Sequence, residues 1–401
     1  MSESVLVSRI DASDESLTRM QCNAMQCDTI IPRRNDIPLS ATYQTATPRP
    51  ITHAFDPATP PSPPTPTAFS FLHPSNLTHP DYKHTITITP PDLKVPWPTS
   101  LPCALQSRYW REAEHAATDY LHTIFSSSHP NTQPEEKYIT AISDAAVSYA
   151  INLLPLGDLA RTKLLTRALV LAFLHDDTAD KPNGDRNSHL LIPTPETNTP
   201  DPKTTAFTLL SQDILAESPS QGHTLLQGIL SWGSTSQHKQ PTAFTSLETY
   251  IPPALSDFGA GLILRTVEFS LNLPPFSPKE REKIRVLEDL CARHMLLTND
   301  LYSYAKEVIA EAGGGEKVLN AVRVVKESMG VSDELAKRMV RMVIWDLEGR
   351  MDGEYIRLER GHGISEAGLR YARAMIVAAA GNMFFSATCG RYARVVEGSK
   401  L

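Results

Sequence analysis

Three carboxylates, Asp176, Asp177 and Asp180, stand directly after the aliphatic run "RALVLAFL", in the stretch "AFLHDDTAD" at 172–180. So apolar a run enters a core, and a carboxylate drawn in with it is costly unless a cation or donors face it. About 120 residues later "NDLYSYAKE" at 299–307 sets Asn299, Ser303 and Glu307 at i, i+4 and i+8, on one face of a helix. Asp176 and Asp180 have the same i, i+4 relation. Both sets offer oxygen donors, which suit a hard cation such as Mg²⁺ that takes few protein ligands and favours phosphate oxygens for the rest. If the two segments face one another, Mg²⁺ between them would offset the carboxylates and bind a diphosphate. Either motif alone is short enough to be ordinary solvated helix surface. Their order, and their placement beside apolar stretches, favours the joint reading.

These residues need long helices to carry them. "GDLARTKLLTRALVLAFLHDDTAD" reads as a helix stopped by Pro182 and Gly184, which leaves the aspartates in its last turns. "SPKE" at 277–280 predicts the start of another, with Ser277 as N-cap, Pro278 at the first position and Glu280 closing a capping box. That helix runs through "NDLYSYAKE" to the glycines at 313–315. Helical spacing recurs in "SRYWREAEHAATDYLHTIF" and "TAISDAAVSYAINLL", then around 205–234, in a Pro-interrupted helix at 245–272, and near 316–328, 332–359 and 364–390. No stretch alternates with period two for long enough to make a sheet. The fold class is all-α.

Half of the 32 prolines fall in residues 1–100, most densely in "PATPPSPPTPT". That region reads as a largely disordered N-terminal arm, with a folded domain over 101–401. A net charge of −7 excludes a basic footprint, so no nucleic-acid partner is expected. Five scattered cysteines form neither a disulfide framework nor a zinc spacing, which suits a reducing interior. No secretory leader and no membrane span is legible, and a cytoplasmic location is the expectation.

"DDTAD" followed by "NDLYSYAKE", with Arg391 and Tyr392 in "GNMFFSATCGRY", resembles the class I terpene synthases over roughly residues 107–395. The wording is closest to the cyclase domains of fungal di- and sesterterpene synthases. The resemblance implies a helical bundle that ionises a linear allylic isoprenoid diphosphate, with three Mg²⁺ ions, and cyclises the carbocation. Geranylgeranyl diphosphate is the first substrate expected, giving a diterpene; farnesyl and geranylfarnesyl diphosphates are the alternatives. Carried over position by position, Asp176 binds metal with Asp180 assisting, and Asn299, Ser303 and Glu307 hold a further ion. Lys306, Arg391 and Tyr392 contact the diphosphate. His175 is read as packing or as a support behind the ligands, not as a ligand itself. A homodimer remains an open option.

The family's diphosphate-sensing arginine is expected near "SLETYIPPALSDFGAG", where Ala254 stands instead, and Pro252-Pro253 interrupts the helix. Candidate walls of an apolar cavity that could stabilise a cation are Phe173, Phe258, Trp345, Phe384 and Phe385. A rival reading makes His175-Asp176 the centre of a metal-dependent phosphohydrolase, with His122, His129 and Asp257 as partners. It leaves "NDLYSYAKE" unexplained. Other rivals are a non-catalytic isoprenoid-binding scaffold and prenyl chain elongation, which usually uses a second aspartate-rich motif.

Overall fold

A computed structural model of the chain describes residues 47–58, 68–126, 136–179, 202–235, 243–314 and 319–401. All of them belong to one compact unit, Ala46–Leu401. Asp180 lies outside the described residues. In chain order the helices are α1 (Trp110–Ser126), α2 (Glu136–Leu153), α3 (Leu159–Ala179), α4 (Pro202–Glu217), α5 (Pro219–Thr235) and α6 (Leu247–Asp257). They continue as α7 (Ala260–Ser270), α8 (Pro278–Ala312), α9 (Ala321–Met329), α10 (Asp333–Arg360), α11 (Glu366–Thr388) and the single turn α12 (Gly390–Ala393). The all-α expectation holds.

The core is built around α8 and α11, which pack on each other; α10 flanks α8, and α2 flanks α11. Every residue of α11 from Ala374 to Thr388 is buried. A helix apolar on all sides belongs in the centre of a bundle, and "AMIVAAAGNMFF" is such a sequence. A Cβ at Gly381 would lie 1.9 Å from the Asn152 carbonyl oxygen, so glycine here lets α11 approach the α2 backbone.

Local details correct several expectations. The segment expected as one helix at 205–234 is two, because Pro219 starts a new helix directly after Ser218. Pro252 and Pro253 do not break the next helix; both lie inside α6, and the break falls at Gly259, whose φ of 75° a side-chain-bearing residue rarely adopts. Ser277 does cap α8 by accepting from the Glu280 amide. Glu280 closes no box, however: its carboxylate accepts from the amide and hydroxyl of Ser365, the N-cap of α11. One small sheet exists after all. Strands β1 (Thr85–Ile88) and β2 (Ala104–Ser107) pair antiparallel, with Thr85 opposite Ser107 and Ile88 opposite Ala104. The alternation "TITI" behind it lasts only four residues.

The largest correction concerns the N-terminal arm. Residues 47–58 and 68–100 are not loosely attached. Phe55, Phe69, Leu72, Ile88 and Val95 are buried in the common core. Prolines fix φ at the first position of short 3-10 turns at Pro74–Asn76, Pro80–Tyr82 and Pro90–Leu93, so proline here organises the arm. Trp345 Nε1 donates to the Pro98 carbonyl, and buried Glu348 accepts from the Thr99 hydroxyl and from the amide and hydroxyl of Ser100.

Candidate active site

Asp158 opens α3 by accepting from the Arg161 amide, and the aliphatic face of the helix then carries it through the core to Asp176 and Asp177 in its last turn. Arg391, on α12, closes onto both: its Nη2 lies 2.9 Å from Asp176 Oδ2 and 2.5 Å from Asp177 Oδ1. Burial alone would depress this guanidinium, but the two carboxylates hold it above its ordinary value and fully charged. Its carbon also lies 5.7 Å over the Phe173 ring. The Tyr138 hydroxyl, hydrogen-bonded to Asp177, is pushed up to about 12 by burial and that carboxylate, so it remains a donor.

Asn299, Ser303 and Glu307 project from α8 toward the same place. Asn299 Nδ2 donates to the Tyr392 hydroxyl at 2.8 Å, so the second motif meets the C-terminal Arg-Tyr pair directly. Ser303 Oγ donates to one oxygen of Glu307, and Asn320 Nδ2 donates to the other at 3.0 Å. Burial raises the Glu307 carboxyl, the Asp176 charge adds to the rise, and Ser303, Asn320 and Lys306 oppose it. Asp176 and Glu307 thus feel one another across the gap between α3 and α8.

The donor set fits a divalent cation. Its atoms are carboxylate, amide and hydroxyl oxygens, and two mutually repelling carboxylates present a charge that a cation would relieve. Among the described residues no group of three or more His, Cys, Asp and Glu gathers as a metal cluster; here Asn299 and Ser303 supply two donors.

Three supporting residues have no signal in the motif spacing. Asp300, fully buried on α8, accepts from Tyr250 Oη at 2.7 Å and from the Ala321 amide at 3.0 Å, tying α6 and the start of α9 to the motif helix. Burial, and then Glu307, push its carboxyl up to about 8. Asn320 both caps α9 and steadies Glu307. The helix expected near 316–328 starts at Ala321; an Asn before the apolar run "AVRVV" is the local signal for that start, while the contact with Glu307 has none. Tyr149 on α2 stands edge-on to Phe173 at 5.9 Å and to Phe385 at 5.0 Å.

Of the candidate cavity walls, Phe173 and Phe385 therefore adjoin the site. Phe385 also faces the Tyr392 ring at 6.0 Å. Phe384 is buried on α11 and Phe258 caps α6. Trp345 does not belong with them, because its indole is turned to the N-terminal arm. An apolar pocket between α3, α4, α5 and α7 is lined by Leu169, Ala172, Phe207, Ile229, Trp232 and Leu262 among others. Ala172 is one turn before Asp176 on the same helix face, which puts that pocket beside the carboxylates. Trp232 is fixed there by a bond to the Asp257 carbonyl and by the edge of His175 at 5.2 Å, so His175 packs as expected.

Ala254 is buried on α6. Arg265, the nearest arginine after it in the chain, pairs with Glu268 and lays its stem against Gly228. For the phosphohydrolase reading, His122 is exposed on α1 and His129 lies outside the described residues.

Carboxylates at the end of α3 and the Asn/Ser/Glu trio of α8 thus stand beside the half-buried guanidinium of Arg391 and an apolar pocket, a set of groups suited to a divalent cation and an anionic ligand. Residues 222–350 match the model of "Terpene synthase family 2, C-terminal metal binding". Terpene cyclase 6 of Gibberella fujikuroi is 30% identical over 363 residues, covering 87% of this chain and 96% of that protein. Terpene cyclase aneC of Aspergillus aculeatus is 28% identical over 346 residues, 82% of this chain and 77% of that protein. The crystal structure of aristolochene synthase from Penicillium roqueforti superposes with a TM-score of 0.62 at 22% identity, covering 73% of this chain and 99% of that one. The chain belongs to the class I terpene synthases. It is therefore a terpene cyclase, a lyase that acts on an isoprenoid diphosphate with a divalent metal. Among the described residues no helix is long and apolar enough to cross a membrane.

Proposed function

We propose that the protein is a Mg²⁺-dependent cyclase of a linear allylic isoprenoid diphosphate, with geranylgeranyl diphosphate first among the C15, C20 and C25 candidates. One observation carries the assignment of residues. Arg391 meets Asp176 and Asp177 while Tyr392, its neighbour, meets Asn299, so the three motifs form a single site.

In this reading Asp176, with Asp180, and the trio Asn299, Ser303 and Glu307 hold Mg²⁺, three ions by family resemblance. Bound there, Mg²⁺ supplies positive charge that stabilises the diphosphate as it leaves. Arg391 shifts its hydrogen bonds from the two aspartates to the diphosphate oxygens, Lys306 adds a second positive charge, and Tyr392 donates a hydrogen bond. The allylic C–O bond then breaks with both electrons passing to the diphosphate oxygen. The hydrocarbon runs from the diphosphate onto the apolar side chains beside the site, where water that would quench the cation is excluded. Phe173, Tyr149 and Phe385 present aromatic faces and edges near the head of the chain. With Ala254 at the sensor position, Arg391 is the guanidinium that meets the diphosphate.

The test is incubation of the purified protein with C15, C20 and C25 allylic diphosphates and Mg²⁺, with hydrocarbons followed by gas chromatography. A cyclic product from the C20 substrate, lost with EDTA and restored by Mg²⁺, is expected. Turnover of the C15 or C25 substrate alone would correct the chain length. Release of linear alcohols only would overturn the cyclase assignment.

A further inference from the structure

The turn that carries Arg391 and Tyr392 is only four residues long, and so short a helix has no stability of its own. Something must hold it against α8, and the structure points to residues 47–58. This segment is anchored at one end on α1 and β2: Trp110 Nε1 donates to the Thr47 carbonyl, and the Arg49 amide donates to Gln106. Further along it pairs with the end of the chain. The Ala54 amide donates to the Ser399 carbonyl at 2.7 Å, the Leu401 amide donates to Thr52, and His53 bridges Lys400. Ser399 in turn donates through its hydroxyl to the Ala393 carbonyl, the last residue of α12.

The next two residues reach both helices of the site. The Phe55 amide donates to the carbonyl of Ala387, near the end of α11, while its ring stands edge-on to Tyr302 of α8 at 5.3 Å. Asp56 pairs with the buried guanidinium of Arg341. Arg341 donates to the Tyr302 hydroxyl at 3.3 Å and lies 3.9 Å from the Met383 sulfur of α11. Tyr302 immediately precedes Ser303 in the metal-binding motif, and Ala387 is four residues before Arg391. In the site, α8 is joined to α12, the turn that directly follows α11, by the bond from Asn299 to Tyr392.

We propose that residues 47–58 form a strap that sets the spacing between the Asn299/Ser303/Glu307 face and the Arg391/Tyr392 pair, with Phe55 and Asp56 as positioning residues for the metal–diphosphate complex. This rests on the site reading given under Proposed function. A segment that only added stability could pack anywhere on the core. This one grips the two elements whose separation a bound diphosphate must match, and misplacement on the order of 1 Å can lower turnover about a hundredfold.

The test measures binding of inorganic diphosphate with Mg²⁺ by calorimetry in full-length Phe55→Ala, Asp56→Asn and Leu72→Ala, beside melting temperature and the kinetics with an allylic diphosphate. Leu72, fully buried outside the strap, serves as a control for lost packing. The strap variants should raise the Kd for Mg²⁺–diphosphate on the order of tenfold and lower kcat by roughly ten- to a hundredfold. Leu72→Ala should lose as much melting temperature with Kd within about twofold of wild type. Asp56→Asn keeps a hydrogen bond to Arg341 and gives a folded strap variant where Phe55→Ala does not. Strap variants that melt earlier but keep the wild-type Kd would overturn the proposal. Failure of the wild-type protein itself to bind Mg²⁺–diphosphate would overturn the site reading, and the strap's role with it.

Discussion

Glu307 and Glu348 are glutamates on neighbouring helices of one core, held in opposite ways. Glu348 on α10 is fully buried and accepts from Thr99, from Ser100 twice and from His294 at 3.3 Å. Burial works against its charge, but His294, Ser100 and Thr99 outweigh it and hold the carboxyl below its usual range. Glu307 on α8 accepts from Ser303 and Asn320, faces the negative charge of Asp176, and is held above its usual range, chiefly by burial. The first carboxylate is satisfied by the protein and serves to dock the arm. The second keeps an unfavourable charge balance even with Lys306 nearby, which suits the metal-ligand role proposed for it. Equal residue types thus separate into structure and function by what surrounds them.

The largest effect expected is on chemistry alone. Glu307→Ala and Asn299→Ala should each abolish product formation, a loss of roughly a hundredfold or more, because metal affinity falls steeply even when a residue supporting a ligand is removed. The melting temperature of Glu307→Ala should stay the same or rise near neutral pH, since a carboxyl raised by burial is removed. Unchanged turnover in either variant would remove these residues from the site.

Glu348→Ala should do the reverse. It strands His294, Thr99 and Ser100 in the core and should lower stability by roughly 3–5 kcal/mol, the range for breaking a buried pair. The protein that remains folded should turn over substrate nearly as wild type does. A normal denaturation midpoint would show that the clamp is dispensable.

Arg391→Ala comes next. A charge-assisted hydrogen bond lost from the transition state costs about 1.5–3 kcal/mol, hence a roughly ten- to hundredfold slower enzyme. If Ala254 stands at the sensor position, as proposed, no second guanidinium is expected to compensate. Near-normal kcat/KM would place another donor at the diphosphate.

The smallest effect is also the sharpest form of the comparison, since the two glutamates should carry opposite pH dependences. Glu348 is lower in the folded state than its reference of 4.5, so its contribution is present above that pH and is lost as pH falls through the folded value. Glu307 is raised above 4.5, so its contribution is present below that pH and is lost as pH rises through the folded value. The melting-temperature gap between wild type and Glu348→Gln should therefore narrow on acidification from pH 7 to pH 4. Glu307→Gln should gain on wild type as pH rises over the same interval without metal. Parallel curves for the two variants would contradict the assignment.

What the sequence determined by itself was governed by local spacing. The helical class, the capped start of α8 at Ser277, and the common face of Asn299, Ser303 and Glu307 follow from a 3.6-residue repeat and nearest-neighbour chemistry. The approach of Arg391 to the aspartates was reachable only through family resemblance. Tertiary structure alone decided which aromatic residues adjoin the site: Trp345 and Phe385 look alike in sequence, yet one faces Pro98 and the other Tyr149. It also decided the fate of the proline-rich arm. Composition measures how much apolar surface a segment carries, not whether a partner waits for it; Phe55 and Asp56 find theirs in Tyr302 and Arg341, more than 240 residues away along the chain. Contacts at that separation depend on how whole helices stack, and no local pattern of residues encodes them.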